Sequence, residues 1–178
     1  MHAISSARIS AFALQVMHDR SFSRMRVHCL GDPGNGRVMI CVHGIARAGL
    51  DFLPLARAMS RKYFVVCPDL PGHGESEPAH PQDYRVSPFS AGAALLTHFS
   101  SESEIVWVST SLGGRAGVFL ATRERCPIQR LVINDIAPVF TTHSAKSAQK
   151  FLRWNPGLQS LEEAAALLGK INDSTATA

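Results

Sequence analysis

A serine in a predicted tight turn has the context of a nucleophile. Ser111 lies in the segment Val108–Gly114, which follows an apolar strand-like run and precedes a helix-like stretch. This context is typical of the G-x-S-x-G turn, in which a strained backbone exposes the serine hydroxyl and the residues two positions away must be small. Gly113 meets that requirement, and Ser109 replaces the upstream glycine with another small residue. The segment therefore favours nucleophilic chemistry at Ser111 over its alternative, an ordinary Ser/Gly loop.

A second turn has the pattern needed to stabilise an oxyanion. His43 and Gly44 follow an earlier apolar run and precede Ile45. One donor N–H of such a site comes from this loop and the other from the residue after the nucleophile, which here are the backbone N–H groups of Ile45 and Leu112. Losing one such donor typically costs about 10²–10³ in rate. We interpret His43 as structural, because its place in the turn matters more than its proton.

A third segment, Asp69–Ser76, follows another apolar run. Gly72 and Gly74 allow a tight loop beside the predicted site. We interpret Asp69 and His73 as structural residues, because polar loop side chains more often satisfy backbone groups than perform chemistry.

The composition argues against several other classes of protein. Of 178 residues, 46% are hydrophobic and 18% charged, which is typical of one domain with buried strands. The net charge is +4, but the basic residues are scattered without a nucleic-acid module signature, so we expect no nucleic-acid partner. The four cysteines lack zinc-ligand spacing and no phosphate-binding glycine loop occurs, so we expect no metal and no cofactor. No membrane-length apolar run or secretory signal occurs, so we expect a cytoplasmic protein without a membrane partner.

Short apolar runs alternate with helix-like stretches along the first 138 residues. The runs predict strands over Phe12–Met17, Met25–Leu30, Val38–Val42, Phe64–Cys67, Ile105–Val108 and Leu131–Ile133. Apolar spacing predicts helices over Phe52–Arg61 and Leu112–Arg123, and another helix with Ser87 as N-cap and Pro88 in its first position. This alternation predicts an α/β fold with a doubly wound, mostly parallel sheet.

The pattern changes after Pro138. A helix is predicted over Thr141–Trp154, and Ser160 with Glu163 forms a capping box for another helix, ended by Gly169 and followed by a frayed tail. We therefore divide the chain into residues 1–138 and 139–178.

Four motifs, in this order, resemble the α/β-hydrolase superfamily, and within it a bacterial group of capped serine hydrolases. They are His43–Arg47, Asp69–Ser76, Trp107–Gly114 and Leu131–Pro138. Two residues depart from the pattern, since Ser109 and Ala137 replace glycines. The resemblance covers nearly the whole chain and implies a serine hydrolase that acts on a carboxylic ester or related small acyl substrate. It also implies an incomplete hydrolase core in residues 1–138 and the start of a helical cap, with Gly114 in the motif that carries the nucleophile.

The resemblance places the catalytic histidine of the triad beyond this chain. The triad in this fold runs Ser, then Asp or Glu, then His, and the histidine normally follows strands that come after the cap. We therefore expect a truncated member that is weakly active or inactive. The alternative is a non-enzymatic remnant or binding domain that retains the pocket.

Two residues are candidates for the rest of the triad. Asp135 is a tentative acid, since certain haloalkane dehalogenases carry their acid after this strand, or else a strand-end residue that bonds the local backbone. His143 is the only histidine after Asp135. It is disfavoured as the base because no strand would fix it within hydrogen-bond reach.

The strand Leu131–Ile133 is apolar, uncharged and free of proline. Without a further strand beside it, nothing in its sequence blocks pairing with another chain. We therefore expect self-association through this edge.

Overall fold

Six runs of β-branched and apolar residues form one sheet. The computed structural model describes residues 8–101, 104–136, 157 and 159–175. The strands are β1 (Ser10–Met17), β2 (Phe22–Leu30), β3 (Arg37–Val42), β4 (Phe64–Pro68), β5 (Glu104–Thr110) and β6 (Ile128–Asn134). Each strand contains the apolar run from which it was predicted and extends beyond that run at one or both ends. Apolar content therefore locates the strands, and the backbone ladder sets their ends.

The strands lie in the order β1-β2-β4-β3-β5-β6. β2 is antiparallel to both β1 and β4, whereas the β4–β3, β3–β5 and β5–β6 pairs are parallel. The predicted α/β fold with a mostly parallel sheet is confirmed. The chain order reverses between β3 and β5, and in open α/β sheets ligands bind outside the carboxyl ends of the strands at such a switch point.

Helices connect the parallel strands. They are α1 (Leu53–Met59), α2 (Ser87–His98) and α3 (Leu112–Ala121), and a short 3₁₀ helix, Gly49–Phe52, precedes α1. The prediction that Ser87 caps α2 was wrong. Val86 is the cap, without a side-chain hydrogen bond, and Pro88 is the second helical residue. Proline is tolerated there because the first backbone N–H groups of a helix have no intrahelical acceptor.

Side-chain alternation along the strands builds a core on each face of the sheet. Ile40 and Trp107 pack on the face that α2 and α3 cover. Met39 and Val106 pack on the opposite face, with residues of α1. The four cysteines are unpaired, and three of them are buried. No helix in the described ranges is both long and apolar enough to cross a membrane.

The chain divides into two compact units, residues 1–136 and 137–178. In the second unit, α4 spans Leu161–Thr175. Half of the predicted capping box is present, since the Glu163 N–H donates to Ser160 Oγ at 3.2 Å, whereas Glu163 Oε2 accepts from the Gln159 N–H at 2.8 Å and not from that of Ser160. The prediction that Gly169 ends this helix was wrong, because Gly169 lacks the left-handed φ of a terminating glycine. The helix predicted over Thr141–Trp154 lies outside the described residues.

Candidate active site

Ser111 joins β5 to α3 through a sharp turn. Its φ is 47° and its ψ is −112°, a backbone conformation that costs a residue other than glycine on the order of 1–3 kcal/mol. The Ser111 N–H donates to the Asn134 carbonyl of β6 at 3.1 Å, and the Ser111 carbonyl accepts from the Arg115 N–H at 3.1 Å. Strain of this size persists only where the surroundings impose it. The structure therefore contains the strained strand-to-helix turn predicted around Ser111.

Small residues make this turn sterically possible. A Cβ on Gly113 would collide with the carbonyl oxygen of Val42, and a Cβ on Gly44 would lie 3.1 Å from the Cβ of Ser111. Ser109 is 1% exposed, and its hydroxyl donates to the Val132 carbonyl at 3.3 Å. The serine that replaces the motif's glycine therefore fits, and its polar atom is satisfied.

The oxyanion donors predicted from the sequence are two backbone N–H groups, those of Ile45 and Leu112. The Gly113 N–H already donates to the His43 carbonyl at 3.2 Å. The N–H groups of Ile45 and Leu112 have no acceptor among the described residues. Leu112 is the first residue of α3, where the helix dipole favours negative charge. Leu112 follows Ser111 directly, and Gly44, the residue before Ile45, lies against Ser111.

His43 supports the turn and has no free nitrogen for catalysis. The side chain is fully buried. Nε2 accepts from the Leu70 N–H at 2.9 Å, so the proton is on Nδ1, which donates to the Gly44 carbonyl at 2.6 Å. Burial lowers the pKa of the imidazole and keeps it neutral. His43 thus joins the loop after β3 to the loop after β4.

Asp69 is a buried anchor for three segments. Its carboxylate accepts from the Gly49 N–H at 2.7 Å, the Glu75 N–H at 2.9 Å and His28 Nε2 at 3.1 Å. Burial raises the pKa of this carboxyl, but the hydrogen bonds from Glu75, Gly49 and His28 outweigh burial, so the pKa is lowered. Asp69 therefore stays ionised and joins the loops after β3 and β4.

Two glycines shape the loop around Asp69. Gly72 has a φ of 79° and Gly74 a φ of 51°, both in the left-handed region. A Cβ on Gly74 would collide with the Asp69 carboxylate, and one on Gly72 would lie 2.8 Å from the Tyr84 hydroxyl. The tight loop predicted from these glycines is present.

Of the two candidates for the rest of the triad, the structure describes Asp135 alone. Asp135 follows β6 directly, is exposed and has a φ of 55°. It is the next residue after Asn134, whose carbonyl binds the Ser111 N–H. The structure thus brings Asp135 to the edge of the sheet that carries Ser111. His143 lies outside the described residues. Among the described side chains, none is hydrogen-bonded to Ser111 Oγ.

A cavity of about 280 Å³ opens between the loop after β3 and the carboxyl ends of β5 and β6. Its lining combines apolar side chains with a charged pair: Arg47 Nε and Asp51 Oδ2 lie 2.7 Å apart. The lining residues are His43, Arg47, Asp51, Phe52, Val108, Ser109, Thr110, Val132 and Asn134. Within the ranges that the structure describes, no group of three His, Cys, Asp or Glu side chains could hold a metal ion.

Sequence reasoning missed two supports of the Ser111 turn. The fully buried Trp107 donates its indole N–H to the Gly113 carbonyl at 3.2 Å. The Asn134 carbonyl accepts a hydrogen bond from the Ser111 N–H. Gly114, which the sequence motif already included, lets α3 approach β6, because a Cβ there would lie 3.0 Å from Ile133. A buried tryptophan four residues before the serine was the available signal; the Asn134 contact is set by strand register.

Comparisons with known proteins agree with this geometry. A 3-hydroxybutyrate-oligomer hydrolase of Cupriavidus necator is 33% identical over 162 residues, which cover 90% of this chain and 55% of that protein. A pimeloyl-[acyl-carrier protein] methyl ester esterase of Vibrio cholerae is 29% identical over 63% of this chain and 42% of its own length. The chain thus spans about half the length of these curated relatives.

Solved structures share the fold. An esterase from Thermogutta terrifontis superposes with a TM-score of 0.66 at 19% identity, covering 83% of this chain and 55% of that one. An alpha/beta hydrolase from Novosphingobium aromaticivorans superposes with a TM-score of 0.66 at 23% identity. The match covers 84% of this chain and 51% of that one. Residues 37–170 match the family defined by the alpha/beta hydrolase fold. With the Ser111 turn, the sheet order and these matches together, the chain belongs to the alpha/beta hydrolase fold family.

Proposed function

We propose that this chain carries the nucleophile and oxyanion hole of a serine hydrolase that acts on carboxylic esters. Ser111 Oγ attacks the ester carbonyl carbon, and the N–H groups of Ile45 and Leu112 stabilise the oxyanion. The carbon–oxygen bond to the alcohol then breaks, the alcohol leaves with the proton that Ser111 has lost, and an acyl group stays on Ser111. Water hydrolyses this acyl-enzyme to release the carboxylic acid and the free serine.

The observation that carries the proposal is the conformation of Ser111. Its φ of 47° is imposed by a cross-strand hydrogen bond to Asn134 and by the close approach of Gly44. A loop that only connected a strand to a helix would have no need of this strain. Unpaired N–H groups at Ile45 and Leu112 supply the complementary site for negative charge.

The proposal assigns the acid to Asp135. This residue is exposed at the carboxyl edge of the sheet, beside the strand that holds Ser111. The base would have to hydrogen-bond Ser111 Oγ, and His43 is excluded because both of its nitrogens are occupied.

The relatives support an ester as the substrate. Their names describe the hydrolysis of a 3-hydroxybutyrate oligomer and of a methyl ester. The cavity at the carboxyl ends of β5 and β6 combines the apolar Phe52, Val108 and Val132 with the polar Asn134 and Thr110, the residue before Ser111. That lining suits a short acyl chain that carries a polar substituent.

Hydrolysis of p-nitrophenyl butyrate tests the proposal. We expect slow turnover above the buffer rate and loss of that turnover in Ser111→Ala. Ser100→Ala is the matched control. The exposed Ser100 follows the end of α2, and its hydroxyl donates only to the Thr97 carbonyl in the last turn of that helix. Equal rates in wild type and Ser111→Ala would contradict the proposal, and a wild-type chain without turnover would favour the non-enzymatic alternative.

A further inference from the structure

The cavity at the carboxyl ends of β5 and β6 has a cation in its wall. Among the described residues that line it, Arg47 alone carries a positive charge, since the buried His43 is neutral. The apolar side chains of Phe52, Val108 and Val132 line the same cavity. Its volume of about 280 Å³ lies just below the range of about 300–1,000 Å³ that holds drug-sized ligands. Such a cavity fits a small organic anion that has an apolar part.

The backbone on both sides of Arg47 is held in place. Ala46, the residue before it, has a φ of 55°, in the left-handed region that disfavours a residue with a Cβ. Gly49, two residues after it, donates its N–H to the buried Asp69 carboxylate at 2.7 Å. Backbone strain such as that of Ala46 persists only where the surrounding structure imposes it. The position of Arg47 beside the cavity is therefore set by its loop.

Asp51 engages one part of the Arg47 guanidinium. Arg47 Nε lies 2.7 Å from Asp51 Oδ2, and in the described part of the chain no second carboxylate pairs with Arg47. A guanidinium has five N–H groups in a planar fork, and its edges match a carboxylate through two parallel hydrogen bonds. With Asp51 at Nε, the Nη1–Nη2 edge remains for another carboxylate. The side chain of Arg47 is 64% exposed, so a ligand can reach it.

The same cavity adjoins the Ser111 turn. Thr110 and Asn134, which are paired across β5 and β6, both line it. Thr110 directly precedes Ser111, and the Asn134 carbonyl accepts from the Ser111 N–H at 3.1 Å. The lining thus extends from the Arg47 guanidinium to residues that contact or adjoin the nucleophile's backbone.

We propose that this cavity is a binding site for a small organic carboxylate, which forms two hydrogen bonds with the Nη1–Nη2 edge of Arg47. The carbon chain of the ligand packs on Phe52, Val108 and Val132. This inference goes beyond the proposed ester hydrolase function and requires no reaction at Ser111. The carboxylate can be carried by an ester or belong to the free acid that hydrolysis of an ester releases, and the experiment below separates these two sources.

Two ligands of the same shape test the proposal. Monomethyl glutarate has a carboxylate at one end, and in methyl 5-amino-5-oxopentanoate a neutral amide replaces it. Each is titrated by calorimetry into the Ser111→Ala chain, so that both esters stay intact. We expect the acid to bind roughly tenfold more tightly than the amide, because hydrogen bonds between charged groups are about twice as strong as neutral ones. The preference should decrease as NaCl is added.

Butyrate, titrated in the same way, separates the two sources of the carboxylate. Binding of butyrate that depends on Arg47 would show that the site takes a free acid such as the product of hydrolysis. Binding of monomethyl glutarate without binding of butyrate would show that the site takes a carboxylate carried by an ester. Both results support a carboxylate site.

Substitutions in the Ser111→Ala chain identify the group that binds the carboxylate. Arg47→Met removes the charge and the fork and should abolish the preference for the acid over the amide. Arg47→Lys keeps the charge without the fork and should retain part of the preference. Arg57→Met is the matched control, because Arg57 is exposed on α1 and lies outside the cavity lining. It should leave the preference unchanged.

The side-chain Nε signal of Arg47 in a ¹H–¹⁵N spectrum reports binding without a substitution at Arg47, and it should shift with monomethyl glutarate and not with the amide. An Nε signal that the acid does not move, equal affinities for the acid and the amide, or an unchanged preference in Arg47→Met would overturn the proposal. Thermal melting of each variant shows whether a lost preference reflects a lost fold. Failure of the ester hydrolase function would appear as turnover that does not depend on Ser111, which leaves these binding results unaffected.

Discussion

Replacing Gly74 by alanine should destabilise the chain strongly, because the new Cβ would enter the Asp69 carboxylate. The φ of 51° costs an L-residue about 1–2 kcal/mol. Displacing the carboxylate weakens its bonds to Gly49, Glu75 and His28, and one hydrogen bond to a charged group contributes about 1.5–3 kcal/mol. The reduced entropy of the unfolded chain returns about 0.4–1 kcal/mol. The net loss is roughly 3 kcal/mol, or a decrease in Tm of about 6–12 °C for a chain of this size.

Urea unfolding and thermal melting measure this loss. Gly34→Ala is the matched control, because Gly34 has no left-handed φ and its Cβ would lie 3.4 Å from Asp32 Oδ1, an ordinary contact. We expect the control to change the free energy of unfolding by less than about 0.5 kcal/mol. A Gly74→Ala chain as stable as the control would refute the role assigned to the Asp69 anchor.

Three other predictions follow from the same structure. His143→Ala should leave ester turnover unchanged, and a loss that equals that of Ser111→Ala would make His143 the base. Burial lowers the folded-state pKa of His43, so its neutral form contributes stability that is present above about pH 6.5 and is lost as the pH falls through the folded-state pKa. Urea unfolding between pH 7.5 and 5 should show this decline, and His43→Gln should flatten it; an unchanged slope would count against the neutral buried ring. Val132 is 52% exposed on β6, one of the two edge strands of the described sheet, so Val132→Lys should reduce self-association in size-exclusion chromatography. A wild-type chain that elutes as a clean monomer would rule out association through this edge.

Local patterns were sufficient to predict the strands and the Ser111 turn. Each strand carries an apolar run, and the turn depends on residues within two positions of Ser111. Contacts between distant segments could not be predicted in this way. The hydroxyl of Ser109 meets a carbonyl on β6, and Asp69 binds His28, which is 41 residues away. Such pairs depend on strand register, which sequence spacing alone does not fix.

Helix ends were less predictable than strands for a related reason. A serine before a proline is a typical N-cap, yet Ser87 is helical because the turn before it already starts at Val86. Gly169 is a typical terminator, yet α4 continues through it to Thr175. In both cases the residue permits a boundary without requiring one.

The central claim, that Ser111 is the nucleophile, is tested most directly by covalent labelling with a fluorophosphonate probe. Peptide mapping by mass spectrometry should find the phosphonyl group on Ser111 in the wild-type chain and in Ser100→Ala, and no labelled peptide in Ser111→Ala. Labelling of a different residue, or no labelling of the folded wild-type chain, would contradict the account.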